Sequence, residues 1–197
     1  QTPKYSQPGI EGTEKKLTIE LKVLADVGFV GFPNSGKSTL LSVITDAKPK
    51  IGNYEFTTLK PNLGIVKYKD FNTFVVSDIP GIIKGASKGK GLGHHFLRHI
   101  ERNSILVFLV SCESQNIDKK FNILVDELRK YNKELLNKEK FLVVTKCDLL
   151  GKDDISDLIS NNKLKSLNID VHFISSVTGY GIETLKDIMW KKLNIQS

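Results

Sequence analysis

Residues 26–41 read DVGFVGFPNSGKSTLL, and within them Gly31, Phe32, Pro33, Asn34, Ser35, Gly36, Lys37 and Ser38 match the spacing GxxxxGK[ST]. The match follows a strand-like apolar run and precedes a helical pattern, the context in which this spacing has a mechanism. Its glycines let backbone N–H groups turn inward onto phosphate oxygens, and the helix N-terminus adds a favourable dipole. In such a loop Lys37 reaches the β and γ phosphates of a nucleotide and Ser38 ligates Mg²⁺. At ordinary glycine usage the pattern arises by chance on the order of once per hundred chains of this length. A Gly-rich turn opening an ordinary helix is the competing reading.

Outward from this loop, apolar strands alternate with helical patterns. Asp26–Gly31 precedes a helix from Lys37; Leu63–Lys69 and Thr73–Ile79 flank the turn Asp70, Phe71, Asn72; Ile105–Ser111, Phe141–Cys147 and Val171–Ser175 follow. Phe121, Leu124, Val125, Leu128, Tyr131 and Leu135 recur at helical spacing, as do Leu185, Ile188 and Met189. This alternation predicts an α/β fold with a mostly parallel sheet and helices on both faces. The short turn at 70–72 requires one antiparallel hairpin. Ligands in such folds sit at the carboxyl ends of the strands.

The chain has 197 residues, of which 40% are hydrophobic and 26% charged, enough for one substantial core. No apolar run approaches the roughly 18 to 20 residues of a membrane span, so no membrane partner is expected. Cys112 and Cys147 stand far apart in sequence, with neither metal-ligand spacing nor a disulfide framework, and reduced thiols in a cytoplasmic protein are the default. Residues 1–24 read as a linker and the remnant of an upstream domain, with a short strand over Leu17, Ile19 and Leu21; residues 25–197 form the globular domain. The net charge of +7 suits a nucleic-acid partner, yet arginine occurs only at Arg98, Arg102 and Arg129 and the lysines are spread along the chain. A solvated lysine surface accounts for that distribution better, and such a surface still favours a weak, salt-dependent association with RNA.

Three further segments carry chemistry. Asp78, Ile79, Pro80 and Gly81 form DxxG at a strand end: Asp78 holds Mg²⁺ through water and the Gly81 N–H meets a γ phosphate, unless the segment is only a turn. Thr145, Lys146, Cys147 and Asp148 end another strand in the pattern [NT]KxD. A carboxylate at Asp148 accepts from guanine N1–H and the 2-amino group, which adenine does not offer, and the Lys146 stem covers the base face. Ser175, Ser176 and Val177 then supply a backbone N–H to the guanine oxygen.

With these segments in order, the chain resembles the GTPase domain of the Obg family, a group within the translation-factor-related P-loop GTPases. The resemblance rests on residues 24–41, Tyr54–Val66 (YEFTTLKPNLGIV), Asp78–Gly93 (DIPGIIKGASKGKGLG), Thr145–Asp148 and Ser175–Gly181 (SSVTGYG). It implies a Ras-like domain that binds GTP and GDP with Mg²⁺, hydrolyses GTP slowly and acts as a monomeric cytoplasmic switch in large ribosomal subunit assembly, with ribosomal RNA or that subunit as partner. It assigns Phe56, Thr57, Thr58, Leu59 and Lys60 to switch I, with Thr58 as second Mg²⁺ ligand, and residues 78–93 to switch II. On residue pattern alone, Thr57 and Thr58 serve as well at a strand edge. Catalysis falls to Lys37, Asn34, Thr58 and Gly81. A nucleotide-gated RNA-binding module with incidental hydrolysis is the alternative function.

Three departures from the wider pattern stand out. Ile82 occupies the place of a water-orienting Gln and can neither orient nor polarise water, which implies slow intrinsic turnover. Relatives that lack the Gln and carry Asn at the position of Asn34 use K⁺ where others use an arginine finger, so K⁺ joins Mg²⁺ as a cofactor to test. Thr145 replaces the commoner Asn, which predicts a weaker tether from base loop to phosphate loop. Ser176 and Val177 stand where Ala and Lys are common. His94 and His95 point to different sides of a helix and are not expected to share a metal, and Arg98 and Arg102 read as a surface helix face.

Overall fold

The computed structural model describes residues 5, 9, 11–17, 25–45, 50–51, 62–78, 103–160 and 162–195. The strands are β1 (Ala25–Gly31), β2 (Lys50–Ile51), β3 (Asn62–Lys67), β4 (Thr73–Asp78), β5 (Asn103–Ser111), β6 (Glu139–Thr145) and β7 (Val171–Phe173). Among the described residues the helices are α1 (Lys37–Ile44), α2 (Ile117–Tyr131), α3 (Lys152–Ser160), α4 (Asn162–Lys165) and α5 (Ile182–Ile195), with 3₁₀ turns at Lys133–Asn137 and Cys147–Leu149. Leu17, first residue of the strand expected over 17–21, is exposed coil, and the rest of that expectation lies outside the described residues.

The strands form one sheet in the order β2-β3-β4-β1-β5-β6-β7. From β4 across β1, β5 and β6 to β7 every pairing is parallel, while β3 runs antiparallel to β4 in the expected hairpin and β2 extends it antiparallel. Strand β5 is apolar almost throughout because both its faces are covered. Ile105, Val107 and Leu109 face α1 and α5 with Leu40, Leu41, Leu185 and Met189, whereas Leu106, Phe108 and Val110 face α2 with Phe121, Leu124 and Leu128. The helices thus lie on both faces, and β1, buried at the centre, delivers the phosphate loop to the carboxyl edge.

Local chemistry shifts several expected boundaries. The helical pattern through Leu135 breaks at Asn132, whose backbone is extended and whose side chain accepts the Glu134 N–H to open a 3₁₀ turn; Leu135 is buried from that turn instead. Strand β6 stops at Thr145, before the expected Cys147, because Lys146 is left-handed (φ +62°). Asp70 and Phe71 are left-handed too (φ +56° and +63°), which closes the hairpin with Tyr68 N–H on Asn72 O at 2.8 Å. The hairpin docks on α5, with Tyr68 stacked on Trp190 at 5.1 Å and its hydroxyl donating to Asp187 at 2.6 Å.

Helix α1 lies tightly on β3 at Gly64. A Cβ there would stand 2.3 Å from Thr45 Cγ2 and 3.0 Å from Leu41 Cδ1. Thr45 cannot swing away freely, since its Oγ1 donates to Leu41 O at 2.8 Å. Gly64→Ala is therefore expected to cost about 2 kcal/mol through overpacking. Urea unfolding measures it, and an unchanged midpoint would mean that α1 does not pack this closely.

Candidate nucleotide site

Strand β1 ends at Gly31, a position where nothing larger fits: a Cβ would meet Ser35 Oγ at 2.5 Å and Leu109 O at 2.6 Å. Asn34 and Gly36 are left-handed (φ +62° and +87°), so the loop curls and brings successive N–H groups to its inner side. Phe32, Pro33, Asn34, Ser35 and Gly36 make the bend, and Lys37 opens α1 behind it. The Lys37 ammonium donates to Gly31 O and Phe32 O, both at 3.0 Å, and the side chain spans the loop from inside. Burial pushes its pKa below the ordinary lysine range, and the charge of Asp78 pulls back in the other direction.

Asp78 enters from the neighbouring strand, at the register Phe29↔Asp78. It is 2% exposed. Ser38 Oγ donates to Asp78 Oδ2 at 2.5 Å, while Asp78 Oδ1 is buried with no hydrogen-bond partner among the described residues. An orphaned carboxylate oxygen beside a hydroxyl is a poor place for water-free protein and a good one for a hard cation with oxygen ligands. The donor set therefore fits Mg²⁺. Thr58 and the switch I residues Phe56, Thr57, Leu59 and Lys60 lie outside the described residues, as do Ile79, Pro80, Gly81, Ile82, His94, His95, Arg98 and Arg102.

The base-reading segment reaches the same edge through β6. Thr145, 2% exposed, donates from Oγ1 to Ser35 O at 2.9 Å, so the threonine does make a tether from this loop to the phosphate loop. Close approach at Gly36, whose Cβ would meet Thr145 at 3.6 Å, lets the short hydroxyl reach the loop. Beyond Lys146, Cys147 N–H donates to Ile174 O at 3.1 Å, which joins the loop to the end of β7. Asp148 is exposed at the rim, with Oδ1 accepting Ser175 Oγ–H at 2.6 Å.

The loop of Ser175, Ser176 and Val177 is stitched internally. Ser175 N–H donates to Tyr180 O at 2.9 Å, Thr178 N–H to Ser175 Oγ at 3.1 Å and Gly179 N–H to Ser175 O at 3.0 Å. The donors left for a ligand carbonyl in this loop are accordingly those of Ser176 and Val177. The role of the Ser175 hydroxyl in aiming Asp148 was not foreseen from sequence, since a Ser pair after a strand resembles any loop.

The two cysteines, distant in sequence, come to adjacent strand ends. Cys112 Sγ donates to Lys146 O at 3.0 Å and Cys147 Sγ to Val144 O at 3.3 Å. Burial raises both thiol pKa values, that of Cys147 to about 11, so both stay protonated and inert at neutral pH. Among the described residues no group of three metal-ligating side chains forms, and no helix is long and apolar enough to cross a membrane.

A mostly parallel sheet with GxxxxGK[ST] after β1, DxxG at the end of β4 and [NT]KxD after β6 defines a Ras-like P-loop GTPase domain. Residues 26–146 match the family described as 50S ribosome-binding GTPase. The chain belongs to that family, and its similarity within it is to proteins named GTPase Obg. It is 59% identical over 194 residues to a protein named GTPase Obg from Flavobacterium johnsoniae, covering 98% of this chain and 58% of that protein. Its identity to GTPase Obg from Flavobacterium psychrophilum is 56%, over the whole chain and 59% of that relative. The chain thus spans about three fifths of the length of these relatives. Among solved structures it resembles the cytosolic domain of the T. maritima FeoB iron transporter in its GMPPNP form, at 25% identity and TM-score 0.61, over 85% of this chain and 63% of that one.

Proposed function

We propose that this chain binds GTP and GDP with Mg²⁺, hydrolyses GTP slowly, and serves as the nucleotide switch of a cytoplasmic factor acting on the large ribosomal subunit. The observation that carries this reading is the Thr145 Oγ1 to Ser35 O bond. It holds the guanine-type loop against the phosphate loop, so one ligand spans both. The family description, 50S ribosome-binding GTPase, supports the partner, and a net charge of +7 suits contact with ribosomal RNA.

In this reading Lys37 holds the β and γ phosphates, already positioned by the two loop carbonyls. Ser38 and Asp78 would hold Mg²⁺, with Thr58 as a further ligand. The chemistry that Mg²⁺ would supply there is neutralisation of charge developing on the phosphate oxygens. The Gly81 N–H senses the γ phosphate, and Ser176 and Val177 offer N–H groups to the guanine oxygen. Asn34, with its left-handed backbone at the mouth of the loop, is the residue through which K⁺ would act in place of an arginine finger.

Single-turnover hydrolysis of GTP and ATP with Mg²⁺, in KCl and in NaCl at equal ionic strength, tests the reading. GTP-selective turnover stimulated by K⁺ is expected. Indifference to the monovalent ion removes K⁺ and the part given to Asn34, and a preference for ATP overturns the function. The basic charge also favours a second reading, a nucleotide-gated RNA-binding module in which hydrolysis is incidental; RNA affinity that differs between GTP and GDP states without turnover would favour it.

A further inference from the structure

Lys146 is gripped at both ends by the segment that follows β5. Its carbonyl accepts Cys112 Sγ–H at 3.0 Å, and its ammonium lies 2.6 Å from Glu113 Oε2. Glu113 is itself fixed. Its Oε2 accepts Ser111 Oγ–H at 3.0 Å, and its N–H donates to the same hydroxyl at 3.3 Å. Ser111 is the last residue of β5, in register with Thr145, the residue that ties β6 to the phosphate loop. The Glu113 carboxylate is drawn below the ordinary range first by the hydrogen bond from Lys146. Phe32, Pro33, Asn34, Glu113 and Lys146 together border a cleft of about 170 Å³.

We propose that Glu113 is the positioning residue for the base-stacking lysine, holding the Lys146 side chain in one extended conformation so that its stem is a preformed wall for the guanine ring. The proposal rests on the guanine reading of the site. Its physical basis is preorganisation. A free lysine side chain loses rotamer entropy when it is pinned against a ligand, and an anchor present before binding removes part of that cost. The pair is half-exposed, with side chains 36% and 54% accessible, and solvent screening limits its effect to roughly fivefold in affinity. Lys120, the other cation bordering the cleft, is engaged with Ser114 Oγ at 2.9 Å.

The test is fluorescent-GDP binding to the whole chain with Mg²⁺. Glu113→Gln, which keeps the size and removes the charge, is expected to raise Kd about fivefold, chiefly through faster dissociation. The preference for GDP over inosine diphosphate, which lacks the 2-amino group, stays as in the wild type because Asp148 is untouched. In a Lys146→Ala background the same substitution is expected to do nothing, since the group it positions is gone. A wild-type Kd in Glu113→Gln, or an equal loss with and without Lys146, overturns the proposal while leaving the GTPase reading intact. Failure of the unmodified chain to bind GDP overturns both.

Discussion

Asp148→Asn is expected to lower guanine-nucleotide affinity by about 10³ to 10⁴-fold and to make xanthine nucleotides the preferred ligands. The carboxylate stands in the 3₁₀ turn that follows β6, with Oδ1 held by the Ser175 hydroxyl at 2.6 Å, so the plane of the group is set before any base arrives. Guanine presents two donors, N1–H and the 2-amino group, to two acceptors. In the Asn variant the Ser175 hydroxyl keeps the amide oxygen where Oδ1 stood, and Nδ2 replaces the other acceptor. Two N–H groups then meet head-on, and each loses its partner in a desolvated contact. Xanthine keeps N1–H and carries a carbonyl at C2, which accepts from Nδ2. Competition between GDP and xanthosine diphosphate for the variant measures the exchange, and retention of GDP would remove Asp148 from base recognition. Ser175→Ala should blur the same preference.

The sheet was readable because its strands obey simple rules. Residues 105–110 are apolar without a break, which marks a strand covered on both faces, and β1 is followed at once by a loop in the spacing GxxxxGK[ST]. Boundaries were harder wherever a single backbone angle decides them. Nothing in the composition of Lys146 announces φ +62°, and nothing in Asn132 announces that it ends α2 and caps a 3₁₀ turn. Helices α3 and α4 were missed because their apolar residues, such as Leu158 and Leu164, are few and packed from one side only. In the site, Lys37, Ser38, Asp78 and Asp148 were legible because each is fixed by spacing along the chain. Glu113 and the Ser175 hydroxyl were not, because they act through strand register: Glu113 reaches Lys146 only because Ser111 lies beside Thr145.

Lys37→Ala is expected to weaken GTP binding by about 10² to 10³-fold and to abolish single-turnover hydrolysis, with little loss of fold stability. The two effects separate because the lysine has opposite value in each. Toward phosphate it is a charge-assisted donor whose removal from a desolvated pair costs about 2 to 5 kcal/mol. Toward the fold it is a buried cation, 7% exposed, whose charged form burial disfavours, with Gly31 O, Phe32 O and the charge of Asp78 as compensation. Removing it relieves a desolvation cost while it releases two carbonyls at a loop open to water. Without nucleotide, the melting temperature of the variant should therefore stay within a few degrees of the wild type. With saturating GDP and Mg²⁺, the wild type should gain on the order of 4 kcal/mol at a thousandfold excess over its Kd, and the variant at the same ligand concentration only about 0.4 to 1.4 kcal/mol. Lys37→Arg should not restore binding, because a planar guanidinium has to fit where one compact ammonium sits between two carbonyls. A variant that unfolds without ligand would show that Lys37 holds the loop rather than the nucleotide, and one that keeps wild-type affinity would place the phosphates elsewhere.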